Sequence, residues 1–329
     1  MPDDSGVADP AAAPENWALP LAALVAGALA MGLSPIFVRL AAPEVGPFAS
    51  AFWRVALALP FLYGWMRLEA DLGPRLDPPT LLAGGAFAGD LLFWHLAILG
   101  TSVANATFFA TTAPVFVALA TWLVLRQPVG PKETGGLALC LLGGAALVAE
   151  SALHAPGRLA GDAAGIVTAF FFGLYVLFTS RARQRSGAAR VTFVSSSVTA
   201  AILLVVTLIG EGGGVWPASA GVWAALIGLA LVSQVGGQGL LAVALGRLPA
   251  VFSSLVIFLE AVFAAGAGWL VLGETLSAVQ YGGGLLILAG IWTARPRRRT
   301  MARPAPDSTW LRPTSPAATT PRPRSSDLR

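Results

Sequence analysis

Long apolar segments separated by short polar ones dominate the chain from residue 17 to residue 294. Reading between the charged residues gives ten such segments. They are Trp17–Val38, Val45–Met66, Leu81–Gly100, Thr101–Leu125, Thr134–Ala149, Ala163–Ser180, Val191–Gly210, Val215–Gly246, Leu248–Gly273 and Thr275–Ala294. A helix needs about 20 mostly apolar residues to cross the hydrocarbon core of a bilayer. The pattern therefore predicts an all-α integral membrane protein with ten transmembrane helices.

Composition excludes the soluble classes of protein. Of the 329 residues, 56% are hydrophobic and only 12% are charged, whereas a soluble domain carries about 25% charged residues. The net charge of +4 arises in the tail, because residues 295–329 hold nine Arg and two Asp. This distribution argues against nucleic acid as a partner. The single cysteine, Cys140, lies within an apolar segment, so no intrachain disulfide is expected.

The distribution of Lys and Arg predicts the orientation. The even-numbered loops and the tail hold eighteen of these residues, and the odd-numbered loops hold two. Since cytoplasmic loops are enriched in Lys and Arg, both termini are expected in the cytoplasm. The acidic segment 1–16 has no Lys or Arg and so does not resemble a cleavable signal. The tail, 295–329, is rich in Pro and Arg and is expected to be disordered.

Four basic residues directly follow the last predicted helix: Arg295, Arg297, Arg298 and Arg299. We expect them to bind anionic lipid headgroups, with a regulatory role as the alternative.

An internal repeat is the most informative feature of the sequence. The segment Val115–Leu125 recurs as Val262–Leu272 with 8 of 11 positions identical, an offset of 147 residues. The copies lie on the fourth and ninth predicted helices, which are five positions apart in the helix order, so they must point in opposite directions. Two inverted five-helix repeats are typical of transporters with a substrate site near the bilayer midplane. The alternative is that duplication only produced a membrane scaffold.

Several segments resemble the drug/metabolite transporter superfamily, specifically the EamA family of ten-helix carriers. They are GLSPIFVRLAAPEVGPFASAFWR at 32–54, SVANATFFATTAPVFVALATW at 102–122 and the stretch 244–290. Arg54, Pro114 and the pair Gly273-Glu274 stand where the family has an Arg, a Pro and a Gly-Glu pair. The resemblance covers residues 17–294, as repeats 17–150 and 151–294.

This resemblance implies carrier activity and a bacterial inner-membrane location, but no particular substrate. The chain departs from the family pattern at Arg126-Gln127, which replaces the first Gly-Glu pair. It also has Ala261 where a proline is expected, which predicts a straighter ninth helix.

Four ionisable residues at membrane depth are the main site candidates, because such groups are costly in a bilayer. Arg54 could bind a substrate carboxylate or serve a structural ion pair. Asp90 could carry a proton, bind a substrate amine or neutralise Arg54. His95 could relay protons or only hydrogen-bond a neighbouring helix. Glu260 could couple transport to protonation, contact substrate or donate one interhelical hydrogen bond.

Uncharged polar and aromatic residues could complete a cavity, and packing is the alternative for each. The candidates are Asn105, Thr111 and Thr112 before Pro114, Gln234 and Gln238 on the eighth helix, and the aromatic residues Trp94, Phe108, Phe109 and Tyr175.

The function that fits best is secondary active transport, with export of small organic metabolites such as amino acids or related amphipathic compounds. Alternating access around a midplane pocket, with proton coupling as an option, would be the mechanism. A membrane-embedded enzyme or a non-transporting scaffold is the alternative. The sequence has no Walker loop, HExxH or dinucleotide motif, so no cofactor or metal is expected. A homodimer is one option for assembly.

Overall fold

The computed structural model describes residues 17–69, 76–101, 103–154, 159–210, 215–272 and 277–296. Three predictions fall outside these residues: the acidic segment 1–16, the Gly273-Glu274 pair and the tail from Arg297 onward. The side chain of Asn105 is outside the described part as well, although its backbone belongs to a helix.

Helices account for all regular structure within the described ranges. They are α1 Ala18–Gly32, α2 Ser34–Ala56, α3 Leu59–Glu69, α4 Pro78–Gly100, α5 Val103–Thr111, α6 Ala113–Leu123, α7 Pro131–His154, α8 Leu159–Ala182, α9 Ala188–Gly210, α10 Ala220–Gly228, a π-helix Leu229–Gln238, α11 Gly239–Leu245, α12 Ala250–Val256, α13 Leu259–Leu272 and α14 Ala278–Ala294.

Six helical segments are long and apolar enough to cross a membrane, and Ala250–Gly266 and Ala278–Ala294 are shorter apolar helices. The longest, Ala18–Glu69, has 52 residues. At 1.5 Å per residue it would extend about 78 Å, well over the thickness of one bilayer core. Its backbone breaks at Gly46, where φ is 80° and ψ is 166°, a conformation that favours glycine. The segment therefore has room for two crossings.

Several membrane-length segments contain a break in the α-helix. The α-helical hydrogen-bond pattern is interrupted at Leu33 between α1 and α2, at residues 57–58 between α2 and α3, and at Thr112 between α5 and α6. At Thr112 the backbone N–H groups of Thr112 and Val115 donate to carbonyls three residues earlier, at 3.1 and 2.9 Å. Pro114, which has no N–H, lies beside this break.

The ninth predicted helix is interrupted even though Ala261 stands where a proline was expected. Residues 257–258 separate α12 from α13, and the N–H groups of Glu260 and Ala261 donate to Ile257 O at 2.8 Å and Phe258 O at 3.2 Å. These tighter bonds, three residues apart, break the α-helical pattern although Ala261 replaces the proline. At the offset of 147 residues, this break corresponds to Ala110 and Thr111, directly before the break at Thr112 in the first repeat.

Helices α7 and α14 pack closely through glycines. A Cβ atom added to Gly136 would lie 2.6 Å from Gly290 O, and one added to Gly143 would lie 2.5 Å from Gly283 O. Residues later in α7 contact residues earlier in α14, so the two helices are antiparallel. Small residues of this kind allow membrane helices to approach closely.

This contact relates the two copies of the sequence repeat. Gly136 and Gly143 correspond to Gly283 and Gly290 at the offset of 147, and each contacts the counterpart of the other. Halfway between, the Cys140 thiol lies 3.6 Å from the carbonyl oxygen of Ile287, which is 147 residues further on. When a two-fold axis relates two antiparallel copies, a residue close to the axis faces its own counterpart in the other copy.

Candidate functional site

A small polar cavity lies among the buried helices, where several broken helices meet. It has a volume of about 40 Å³, which is room for a few water molecules. Its lining residues are Met31, Ser34, Arg54, Asp90, Trp94, Ala110, Phe172, Gln238, Ile257 and Glu260. Three of the four predicted ionisable candidates, Arg54, Asp90 and Glu260, are therefore brought together.

The helix breaks place these residues. Ser34 follows the break after α1 and Ala110 precedes the break after α5. Ile257 lies in the break before α13, and Glu260 follows that break. The Glu260 carbonyl would lie 3.1 Å from a Cβ atom added at Gly32, so the ends of α1 and α13 are in contact. Broken helices that meet at a cavity supply polar groups at membrane depth.

Arg54 is held in place by an amide. Its side chain is 3% exposed, and its Nε donates to the Oε1 atom of Gln234 at 3.2 Å. The amide nitrogen of Gln234 in turn donates to Ser196 Oγ at 3.1 Å. The guanidinium carbon lies 5.7 Å from the centre of the Trp94 ring and 5.9 Å from that of Phe87. These contacts fix the guanidinium plane and leave its two terminal nitrogens for a ligand.

The two carboxylates reach the cavity from different helices. Asp90 is in the middle of α4 and is 6% exposed, and Glu260 is in the first turn of α13. In the described part of the chain, no carboxylate oxygen lies within 4.0 Å of an Arg54 nitrogen. The structural ion pair considered for Arg54 is therefore absent from this conformation.

Gln234 and Gln238 share the π-helix but differ in surroundings. Only Gln238 lines the cavity. Its Nε2 donates to the sulfur of Met31 at 3.3 Å, and its buried Oε1 has no partner in the described structure. Gln234 acts on Arg54 instead of lining the cavity. A π-helix has a wider turn than an α-helix and often marks a functional region.

Several predicted site residues lie away from the cavity. His95 is fully buried, and its Nδ1 is 2.7 Å from the carbonyl oxygen of Leu91, on the same helix. The hydroxyls of Thr111 and Thr112 donate to Phe108 O at 2.8 Å and Phe109 O at 2.6 Å. These hydroxyls are satisfied locally, and neither residue lines the cavity.

Tyr175 is buried and packs against other aromatic rings. It is 1% exposed and stacks on Phe87 with ring centres 4.6 Å apart, and on Phe172 at 5.9 Å. It therefore packs behind Phe172, which lines the cavity. Of the aromatic candidates, Trp94 lines the cavity.

The sequence analysis missed Met31, Ser196 and Phe172. Met31 and Phe172 are apolar residues in apolar segments, so nothing local distinguishes them from the core. Ser196 lies in the run Ser195-Ser196-Ser197 on α9, an unusually polar stretch for a membrane helix that could have identified it.

Comparison with known proteins decides the family. The sequence model of the EamA-like transporter family matches residues 18–149 and again 159–294. The chain belongs to the EamA-like transporter family. This family is part of the drug/metabolite transporter superfamily, so the protein is a multi-pass membrane transporter with two EamA domains, and not an enzyme.

Individual relatives of this EamA-like transporter agree with the assignment. An uncharacterized transporter of Archaeoglobus fulgidus is 24% identical, over 78% of this chain and 90% of the relative. The pseudopaline exporter CntI of Pseudomonas aeruginosa is 26% identical, over 72% of this chain and 82% of the relative. A solved crystal structure superposes with a TM-score of 0.68 at 18% identity, covering 83% of this chain and 96% of that one, and shows the shared fold.

Proposed function

We propose that this transporter exports small organic metabolites, such as amino acids or related amphipathic compounds, as a secondary carrier. The observation that carries the proposal is the cavity in which Arg54, Asp90 and Glu260 meet between the broken helices. In this arrangement Arg54 binds a substrate carboxylate with its terminal nitrogens, and the carboxylates of Asp90 and Glu260 face an amino group. Trp94, Phe172 and Ile257 supply apolar walls for the rest of the molecule.

The proposed topology has ten crossings as two inverted repeats, with both termini in the cytoplasm of a bacterial cell. It is supported by the length of Ala18–Glu69, the antiparallel α7–α14 contact and the excess of Lys and Arg in the even-numbered loops. Arg295 follows the last helix, with its guanidinium carbon 3.8 Å from the centre of the Trp292 ring. This pair is suited to the membrane interface, where we place Arg295 against lipid headgroups.

The small volume of the cavity supports alternating access as the mechanism. A space of about 40 Å³ does not hold an amino acid, so the cavity must widen before a substrate of this size can bind. The α7–α14 contact is close-packed, whereas the breaks at Leu33, Thr112 and residues 257–258 interrupt the helices that reach the cavity. We place the motion that admits substrate at these breaks.

The test is an efflux screen. The purified protein is reconstituted in liposomes loaded with a mixed metabolite extract, and solutes outside are identified by mass spectrometry, with and without a pH gradient. We expect selective efflux of carboxylate-containing solutes, lost with Arg54→Gln and retained with Arg39→Gln. Arg39 is a matched control because it donates to the carbonyls of Ile98 and Thr101, away from the cavity. Absence of selective efflux from correctly folded protein would contradict the proposal.

A further inference from the structure

The cavity has more carboxylates than cations among its described lining residues. Its only cation is Arg54, whereas Asp90 and Glu260 provide two carboxylates among the described lining residues. The Nε of Arg54 is occupied by Gln234. The two terminal nitrogens of the guanidinium group can together donate two parallel hydrogen bonds to one carboxylate.

Gln238 adds a further acceptor, and its orientation follows from its neighbour. The sulfur of Met31 carries no hydrogen, so only the amide nitrogen of Gln238 can face it favourably, at 3.3 Å. The amide oxygen is then the end left over, buried and without a partner in the described structure. A buried carbonyl oxygen without a donor is costly, so a ligand that donates a hydrogen bond here gains affinity.

From this excess we infer the class of substrate: a small monocarboxylate with two amino groups and one net positive charge. The inference rests on the proposed function and makes it more specific. One substrate carboxylate pairs with the two terminal nitrogens of Arg54. The two ammonium groups then face Asp90, Glu260 and the Gln238 carbonyl oxygen. The bound complex is neutral, whereas a zwitterion would leave one cavity carboxylate unpaired and a dicarboxylate would leave two acids facing each other.

Three probes of matched chain length test the inference. Lysine carries one net positive charge at neutral pH, norleucine carries none, and 2-aminoadipate carries one net negative charge. Counterflow of each is measured in liposomes containing the full-length protein. We expect lysine to be preferred over norleucine by about tenfold or more, with 2-aminoadipate the poorest of the three.

Substitutions of cavity residues test whether the preference for lysine arises in the cavity. Asp90→Asn, Glu260→Gln and Gln238→Leu each remove a charge or an acceptor and should lower the ratio of lysine to norleucine transport. Glu133→Gln is the matched control, because Glu133 lies in the first turn of α7 and does not line the cavity. Elution as a single species from a sizing column verifies that each variant is folded.

The outcomes separate this inference from the proposed function. If wild-type protein moves norleucine as well as lysine, the charge-matching inference is overturned while export stands. The charge-matching inference is also overturned, and export also stands, if none of the three probes is transported but another solute of the metabolite extract is transported in the efflux screen. If a lysine preference survives all three cavity variants, its assignment to this site is overturned. If no solute moves at all, the proposed function itself fails.

Discussion

Two neighbouring glycines on α7 should respond oppositely to the same substitution. A Cβ atom at Gly136 would lie 2.6 Å from Gly290 O and 2.7 Å from Ala294 Cβ. Ordinary contacts of this kind are about 3.5 Å, so α7 and α14 must separate by roughly 0.9 Å to admit it. We expect Gly136→Ala to lower the free energy of unfolding by about 1–3 kcal/mol, the usual cost of overpacking.

The adjacent Gly135 is the matched control. A Cβ atom there meets nothing within 4 Å, so Gly135→Ala adds helix propensity without a clash and should raise stability by up to about 1 kcal/mol. The assay is thermal unfolding of both variants in the same detergent, followed by fluorescence. Equal midpoints for the two variants, or a more stable Gly136→Ala protein, would refute the close α7–α14 contact and the two-fold relationship drawn from it.

Three further predictions concern the site and one helix terminus. Arg54→Lys keeps the charge but loses the planar fork and the bond to Gln234, so liposome efflux should fall by about tenfold or more, whereas Arg39→Lys should not change it. Glu260→Gln should abolish any acceleration of efflux by a pH gradient, since it removes a carboxyl that can carry a proton; unchanged rate and pH dependence would exclude that role. Glu69 accepts from the backbone N–H groups of Ala188 at 3.0 Å and Ala189 at 2.7 Å, so Glu69→Ala should cost about 1 kcal/mol in detergent unfolding. Equal stability of this variant and Glu133→Ala would show that the contact adds nothing.

The helical membrane fold and the repeat could be predicted because they depend on patterns spread over many residues. Apolar runs between charges identify the membrane helices whatever their packing. The offset of 147 between Gly136 and Gly283 needs only the sequence, and the structure adds that each of these glycines contacts the counterpart of the other.

The detailed site could be predicted only in part. Arg54, Asp90 and Glu260 are conspicuous because charge is rare at membrane depth. The Arg54–Gln234–Ser196 chain joins residues 180 and 38 positions apart, a pairing that no local pattern contains. The break at residues 257–258 has no proline beside it, so the sequence does not predict it. His95 and Tyr175 are candidates by residue type, but neither lines the cavity. The Nδ1 of His95 lies beside the Leu91 carbonyl oxygen, its buried Nε2 has no partner in the described structure, and the Tyr175 ring stacks on Phe87.

The claim that Arg54 binds the carboxylate of the transported solute is central to this account. It is tested most directly by counterflow of the solute selected in the efflux screen and of its carboxamide, in wild-type and Arg54→Gln protein. We predict that wild-type protein prefers the carboxylate by about tenfold or more and that Arg54→Gln loses this preference while Arg39→Gln keeps it. An undiminished preference in Arg54→Gln would contradict the claim and place carboxylate recognition elsewhere.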